Sequence, residues 1–317
     1  MGTPALPTSP WQTPKYTGEP WWTKDTVAVV TGSNKGIGHG ILRELVKNGM
    51  TVVLTDKDDT KASVAALEAE GLSGSVLSHP LDVTSSSSVA TFSSWLKDSL
   101  GGFDILINNA GIWPKGLSYE DAKAVLGVNY YGARAVTEGL LPLLRRGGRI
   151  INVTSRTGFY QRLRDDKVRS QLGDVEKLDL KTLDSITNKY LEDIKAGELE
   201  KGGWILAQGV APQYAESKMF LSAYTVVLSK SLQTKDPADQ KAFACAFCPS
   251  FVETDMTRNL DIVGLPLAPL EVGVDTGVWL ALLPKEEFAK KHGKFLAERI
   301  EYPYTWVPWI DPFSLPA

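Results

Sequence analysis

A chain of 317 residues, 43% hydrophobic and 22% charged, can bury a sizeable core, and its length fits one large α/β domain. A formal net charge of −3 gives no basic footprint for nucleic acid and no polybasic anchor for a membrane. No stretch approaches the ~18 apolar residues of a membrane span and the first residues lack a charged-then-apolar secretory pattern, so a soluble, cytoplasmic protein is expected.

Residues 1–24 are rich in Pro, Thr and Trp without a regular period, which predicts an extended arm docked through Trp11, Trp21 and Trp22. From residue 25 onward short apolar runs alternate with helical patterns, the signature of β-α-β units in a doubly wound, Rossmann-type parallel sheet. About seven strands are expected, at 27–31, 51–55, 75–78, 105–108, 149–154, 241–248 and 294–296. Residues 37–48 read as a helix ended by Gly49, and Thr84 is expected to cap a helix over 87–100 with Gly101 beyond its end. A further helix carries Asn129 on toward Leu144. The stretch 158–213 is charged and lacks a central strand. Within it Leu183, Ile186, Tyr190, Leu191 and Ile194 recur at helical spacing and predict an amphipathic helix laid on the body. Pro212 places the start of the next helix close to Tyr214. The only cysteines, Cys245 and Cys248, are spaced as C-x-x-C inside the apolar run 242–248. In a strand, residues three apart face opposite ways, so they read as buried thiols of a reducing compartment, and no metal site is expected.

The first chemical motif is Thr31-Gly32-Ser33-Asn34-Lys35-Gly36-Ile37-Gly38, which follows the first strand and opens a helix. Glycines there allow tight backbone angles and close approach, and the helix N-terminus offers free N–H groups to a pyrophosphate. A loop needing only positive φ would look the same; the strand-to-helix context selects the cofactor reading. Later, Tyr214 and Lys218 stand four apart on a helix, so a phenol and an ammonium share one face, and a nearby positive charge favours an ionised phenol. Ser155 ends a strand at the carboxyl edge of the sheet. Taken singly each has a plain reading, as a surface pair, a strand end or, for Asn129, a helix-surface amide; their joint occurrence in order carries the argument.

With Asn108-Asn109-Ala110-Gly111 after the fourth strand, the sequence resembles the short-chain dehydrogenase/reductase superfamily over residues 26–296, and most closely the monomeric plant-type carbonyl reductases that include menthone, neomenthol and salutaridine reductases. Gly32, Gly36 and Gly38 match the TGxxxGxG turn, and Asn129, Ser155, Tyr214 and Lys218 match the Asn-Ser-Tyr-Lys tetrad. Ser155 and Tyr214 lie 59 positions apart (155 to 214), room for the helical insertion of that group. The resemblance implies a dinucleotide-binding catalytic domain over 25–301, with an insertion at about 158–213 and an aromatic tail at 302–317. It implies hydride transfer between a nicotinamide and a carbonyl carbon, with Tyr214 as general acid in reduction and base in oxidation. Lys218 would lower the phenol's pKa from about 10 and hold the ribose hydroxyls. Ser155 would donate to the substrate oxygen, and Asn129 would hold a water that relays protons to Lys218.

For the cofactor the residues pull both ways. Asp56, ending the second strand, suits the ribose hydroxyls of NAD, whereas Lys35, Lys57 and Lys61 suit the extra phosphate of NADP, though without arginine's fork. The lysines and the resemblance slightly favour NADP(H) over NAD(H). By resemblance Asp82 and Val83 flank the adenine, Thr254 nears the carboxamide, and Asn34, Ile37, Asn108, Ala110, Gly111, Pro249 and Val252 complete the expected cofactor set. Ile112, Trp113, Phe159, Tyr160 and Met219, with Gly158 and the 256–267 loop, form the expected apolar substrate pocket for a hydrophobic ketone or secondary alcohol. Ser250 departs from the pattern, standing after Pro249 where the family usually has glycine, and Trp306, Trp309 and Phe313 of the tail are expected to pack rather than form a cage, with a lid over the substrate cleft as the alternative. The insertion would cover the surface through which the superfamily assembles, so a monomer is expected, with a small carbonyl or alcohol as its partner and neither nucleic acid nor membrane. A dinucleotide-binding sensor or scaffold without turnover, and a C=C reductase or cyclase, are the alternatives; relatives that reduce double bonds replace the tyrosine, which is present here as Tyr214.

Overall fold

The computed structural model describes residues 19–204, 211–233, 242–258, 260 and 267–302. In chain order the elements run β1 (Val27–Thr31), α1 (Gly36–Lys47), β2 (Thr51–Asp56), α2 (Lys61–Ala69), β3 (Ser75–Pro80), α3 (Ser86–Leu100) and β4 (Phe103–Asn108). Then come α4 (Tyr119–Leu126), a π-helical turn (Gly127–Gly132), α5 (Ala133–Leu140) and β5 (Leu144–Val153). The second half carries α6 (Asp166–Gly173), α7 (Leu180–Ala196), α8 (Pro212–Leu232), β6 (Ala242–Cys248), α9 (Leu270–Leu282), α10 (Lys285–Ala289), β7 (Phe295–Ala297) and β8 (Ile300–Tyr302).

The strands form one sheet in the order β3-β2-β1-β4-β5-β6-β7-β8, parallel throughout except for the last pair. Helices cover both faces, which is why the central strands read as continuous apolar runs instead of alternating ones. In β1, Val27 and Val29 enter the core shared with α3, α5, α7 and α8, while Ala28 and Val30 enter the core shared with α1 and α9. Cys245 and Cys248 are buried free thiols in different packing clusters, as strand alternation requires.

Three local expectations need correction. An eighth strand exists because Glu298 and Arg299, at φ +46° and +62°, close a tight β7–β8 hairpin without the glycine that normally announces one. The β5 strand starts at Leu144, not near 149, and the helix after Asn129 stops at Leu140. Its register skips between the Phe103–Leu144 and Ile105–Arg149 pairs, with Gly147 at φ +80° in the irregular stretch. Ser85, not Thr84, caps α3 by accepting from Ser88 N at 3.2 Å, because Thr84 instead gives its N–H and hydroxyl to Asp82.

In the insertion, Leu183, Ile186, Tyr190 and Ile194 are buried and Leu191 is half-buried, so α7 is amphipathic as its spacing predicts. Trp204, Tyr190 and Phe220 meet edge to face with centroids 5.0 to 6.4 Å apart, which fastens the insertion to α8. At the other face Trp22 is buried, and its indole donates to Asn48 O at 2.9 Å; Trp11 lies outside the described residues. Trp21 lies 4.2 Å from the guanidinium of Arg149, which Phe288 flanks at 4.5 Å.

Arg149 is 1% exposed. Its Nη1 donates to the carbonyls of Leu280, Ala281 and Leu283 at 2.9 to 3.0 Å, satisfying the orphan end of α9. Burial pulls its pKa down to about 9, so the charge persists there through these carbonyls and the ring faces. Arg149→Ala should cost about 3 kcal/mol in urea unfolding, the desolvation penalty of several buried carbonyls left without a donor. A loss below about 1 kcal/mol, the net worth of one ordinary hydrogen bond, would show that the guanidinium does not hold the end of α9.

Candidate active site

The parallel strands β1, β4, β5 and β6 all end at one edge of the sheet, at Thr31, Asn108, Val153 and Cys248. The winding reverses between β1 and β4, the position at which open α/β sheets leave a crevice for a ligand. Gly32 and Gly36 there have φ +59° and +60°. A Cβ on Gly32 would stand 2.8 Å from Ala110 Cα, and one on Gly38 would stand 2.3 Å from Asn109 Nδ2. The turn is therefore pressed against the β4 loop. Thr31 Oγ1 accepts from the N–H groups of Asn109 and Ala110, each at 3.0 Å, and Asn109 Nδ2 donates to the carbonyls of Thr31 and Gly32 at 3.0 and 2.8 Å. Asn109 and Thr31 are thus the braces of the turn, which the sequence reading passed over in favour of their neighbours. Asn108 turns the other way. Its amide donates to Thr137 Oγ1 and Asn152 Oδ1, and Asn152 donates to Thr225 Oγ1, all at 2.8 Å and all buried.

The expected phosphate-binding residues share one exposed rim. Lys35 pairs with Asp255 at 3.0 Å and Lys57 with Asp58 at 2.9 Å, while Lys61 opens α2. Asn34 Nδ2 donates to Asp59 O at 3.1 Å, and Asp56 accepts from Asp58 N at 3.1 Å. Ile37 packs against the α1–α9 core. The side chain and backbone of Thr84 hold the Asp82 carboxyl below the usual range, and Val83 is buried, in contact distance of where a Gly132 side chain would lie. Thr254 faces Gly36 closely enough that a Cβ there would lie 3.7 Å from its methyl, and Pro249 and Val252 belong to the segment after β6, where Val252 bridges to Ala268.

The tetrad converges at the same edge. Pro212 occupies the first turn of α8, as expected, so Tyr214 sits one turn before Lys218. Tyr214 neighbours Ser155, whose Oγ accepts from Thr157 N at 3.2 Å and Thr157 Oγ1 at 2.9 Å. Lys218 is 4% exposed; its Nζ donates to Val153 O at 2.9 Å and lies 5.7 Å from the centre of the Tyr214 ring. Asn129 is fully buried in the π-helical turn, exchanging hydrogen bonds with the backbone of Ile112 (2.8 and 3.1 Å) and donating to Ser217 Oγ at 2.9 Å. Ser217 in turn donates to Tyr214 O at 2.8 Å, a link the sequence reading missed. A Cβ on Gly111 would lie 3.4 Å from Asn129 Oδ1 and 3.5 Å from Lys218 Nζ, so backbone and both side chains surround one point.

Electrostatics reverse one expectation. Burial pushes the Tyr214 phenol up instead of letting Lys218 draw it down, and the same burial pulls Lys218 down to about 8. The ammonium is aimed at the Val153 carbonyl and not at the phenol oxygen, so desolvation dominates both groups. The substrate-pocket set also divides. Trp113 packs against Tyr214 with ring centroids 4.7 Å apart and planes tilted by 35°, and half-buried Ile112 precedes it. Met219 and Tyr160 are buried in the α7–α8 core, and Phe159 packs edge to face on Phe295 at 5.3 Å. These three are packing residues; Met219 follows Lys218 directly, and a step of one residue on a helix points its side chain elsewhere. Residues 259 and 261–266 of the expected loop, and Trp306, Trp309 and Phe313, lie outside the described residues. Among the described residues no cluster of His, Cys, Asp and Glu could hold a metal, and no helix is long and apolar enough to cross a membrane.

A Rossmann-like sheet with a braced glycine turn and a Ser-Tyr-Lys group on one edge defines a class of dinucleotide-binding folds, and comparison with known proteins narrows it. The profile of the short chain dehydrogenase family matches residues 26–164. The (+)-neomenthol dehydrogenase of Arabidopsis thaliana is 33% identical over 82% of this chain and 92% of its own length. Carbonyl reductase [NADPH] 1 of Bos taurus is 34% identical over 87% of this chain and 98% of its own. Among solved structures, salutaridine reductase from Papaver somniferum superposes with a TM-score of 0.74 at 31% identity, covering 85% of this chain and 99% of that one. The chain belongs to the short-chain dehydrogenase/reductase family.

Gly158 shows how tightly the site is built. A Cβ there would lie 2.4 Å from Met219 N and 2.7 Å from Lys218 C, both backbone atoms that cannot swing aside. Gly158→Ala should therefore destabilise by about 2 kcal/mol through overpacking, read as a lowered melting temperature. A wild-type melting curve would mean that the turn after Ser155 does not bear on α8.

Proposed function

We propose that the chain reduces hydrophobic ketones to secondary alcohols, and runs the reverse oxidation, with NADP(H) in preference to NAD(H). The observation that carries this reading is the gathering of Ser155, Tyr214 and Lys218 where the end of β5 meets α8, with Lys218 one turn after Tyr214 and the glycine turn at the same edge. The relatives' names support the chemistry: one is a neomenthol dehydrogenase and one an NADPH carbonyl reductase. The glycine turn fits a dinucleotide, since Gly32 and Gly36 take positive φ and α1 opens without a side-chain cap, leaving its first N–H groups for a pyrophosphate. When bound, the nicotinamide supplies the hydride.

Each residue then has a task that its surroundings suit. A phenol raised by burial stays protonated at neutral pH, so Tyr214 holds the proton that the carbonyl oxygen takes up as it gains charge. Ser155 adds a second donor to that oxygen, whose developing charge is worth most to stabilise away from water. Lys218, charged below about 8, stabilises the phenolate that remains and faces the ribose side, while Asn129 holds the proton path behind it. Trp113, packed beside Tyr214, and Ile112 give the substrate side an apolar wall. Residues 25–301 act as one catalytic unit, monomeric and cytoplasmic.

Purified protein should bind NADPH more tightly than NADH and oxidise it with a panel of apolar ketones. Tyr214→Phe should lose about 10²- to 10⁴-fold in turnover with nearly unchanged NADPH affinity; full turnover in that variant would refute the role of the phenol. Because the folded-state pKa of Lys218 is depressed to about 8, its charge is present below that value and lost above it. The reduction rate should accordingly fall as pH rises through about 8, and a rate that holds level into the range of an ordinary lysine, about 10.4, would count against it.

A further inference from the structure

We propose that Glu298, in the β7–β8 turn, is a positioning residue for Ser155. Its carboxylate bridges two segments of the site: Oε2 is ion-paired with Nη2 of Arg156, the residue directly after Ser155, and Oε1 accepts from Ser250 Oγ in the loop after β6. The Arg156 and Glu298 side chains are 30% and 12% exposed, less than the solvent-facing pairs on the glycine-turn rim, so this bridge is partly shielded from water. Tyr302 of β8 adds a second hold, its ring 5.5 Å from the Arg156 guanidinium.

The backbone supports a positioning role independently. Among the described residues, three that are not glycine have positive φ, namely Ser250, Glu298 and Arg299, and all three meet at this junction. Such residues persist only where their surroundings hold them, and they concentrate at functional sites. Glycine at the turn would close the hairpin without strain but would leave nothing to reach Arg156 and Ser250. The turn is anchored from behind: Arg299 is paired through two hydrogen bonds with the buried Asp275 of α9, and its N–H donates to Thr276 Oγ1 at 3.2 Å.

Ser155 opens the short helical turn Arg156–Gly158, so fixing Arg156 fixes the backbone that aims the Ser155 hydroxyl. The inference rests on the reading of Ser155 as a donor to the substrate oxygen. A misplacement of about 1 Å in such a donor costs up to about 100-fold in rate.

The test uses the full chain, NADPH and a ketone that the wild type reduces. Glu298→Ala should lower kcat about 10- to 100-fold while the KM and the fluorescence-measured affinity for NADPH stay near wild type. Glu298→Gln, which keeps the volume and an acceptor for Ser250, should recover part of that loss at an unchanged melting temperature. If the alanine variant does not fold, the glutamine variant carries the test, and its kcat should lie below wild type. Wild-type kcat in a folded Glu298→Ala protein, or in Glu298→Gln where that alone folds, overturns this role, even if the melting temperature drops. A wild type that reduces no ketone overturns the reductase reading and this role with it.

Discussion

The contact between the end of β5 and one face of α8 sets the position of everything at the site. Lys218 reaches the Val153 carbonyl, and Thr225, two turns further along the helix, takes the amide of Asn152. Residues seven apart return to the same face of a helix, so these two hydrogen bonds fix both the rotation and the sliding position of α8 on the strand. Tyr214, one turn before Lys218, is then carried to Ser155 at the strand's end without a further choice. Gly158 permits the close approach. Most of α8 is buried, so the helix has no amphipathic stripe to orient it, and polar contacts supply the register that hydrophobic patterning supplies elsewhere.

Those polar contacts specify position more than they add stability, since the ladder leaves Asn108 Oδ1 buried without a partner. An unpaired amide in the core costs about 1–3 kcal/mol, whereas a satisfied one is worth about 1 kcal/mol net. The Asn108-Asn152-Thr225 ladder crosses two strands and a helix, and the Asn129-Ser217-Tyr214 chain joins the π-helical turn to the start of α8. Each link specifies one arrangement, since shifting any element by a residue would strand its neighbours without partners. The site and the fold therefore use the same hydrogen bonds.

What was legible in the sequence was what local chemistry dictates. The strands β1 to β7, the glycine turn before α1, the Pro212 start of α8 and the face of α7 follow from apolar runs, glycine, proline and helical spacing. The β7–β8 hairpin left no trace, because its two turn residues take positive φ under tertiary restraint with no glycine to mark them. Phe159, Tyr160 and Met219 were apolar neighbours of tetrad residues, but adjacency in sequence does not convey the direction of a side chain, and each turned into a core. Asn109, Thr31 and Ser217 act as braces that become visible only once two loops meet. The direction of the Tyr214 shift depended on burial, which no spacing of residues can express.

The proposed preference for NADP(H) rests on a similar balance at the rim. Lys35 and Lys57 are paired with carboxylates, yet the side chains of both pairs are more than half exposed. Such pairs are worth about 0–1 kcal/mol, so a phosphate carrying about two charges can displace either carboxylate at little cost. Asp56 already accepts a backbone N–H from Asp58, which leaves part of its acceptor capacity engaged before any ribose arrives. The rim therefore presents loosely held cations beside a partly committed anion, and that asymmetry supports NADP(H) over NAD(H) more firmly than a count of charges would.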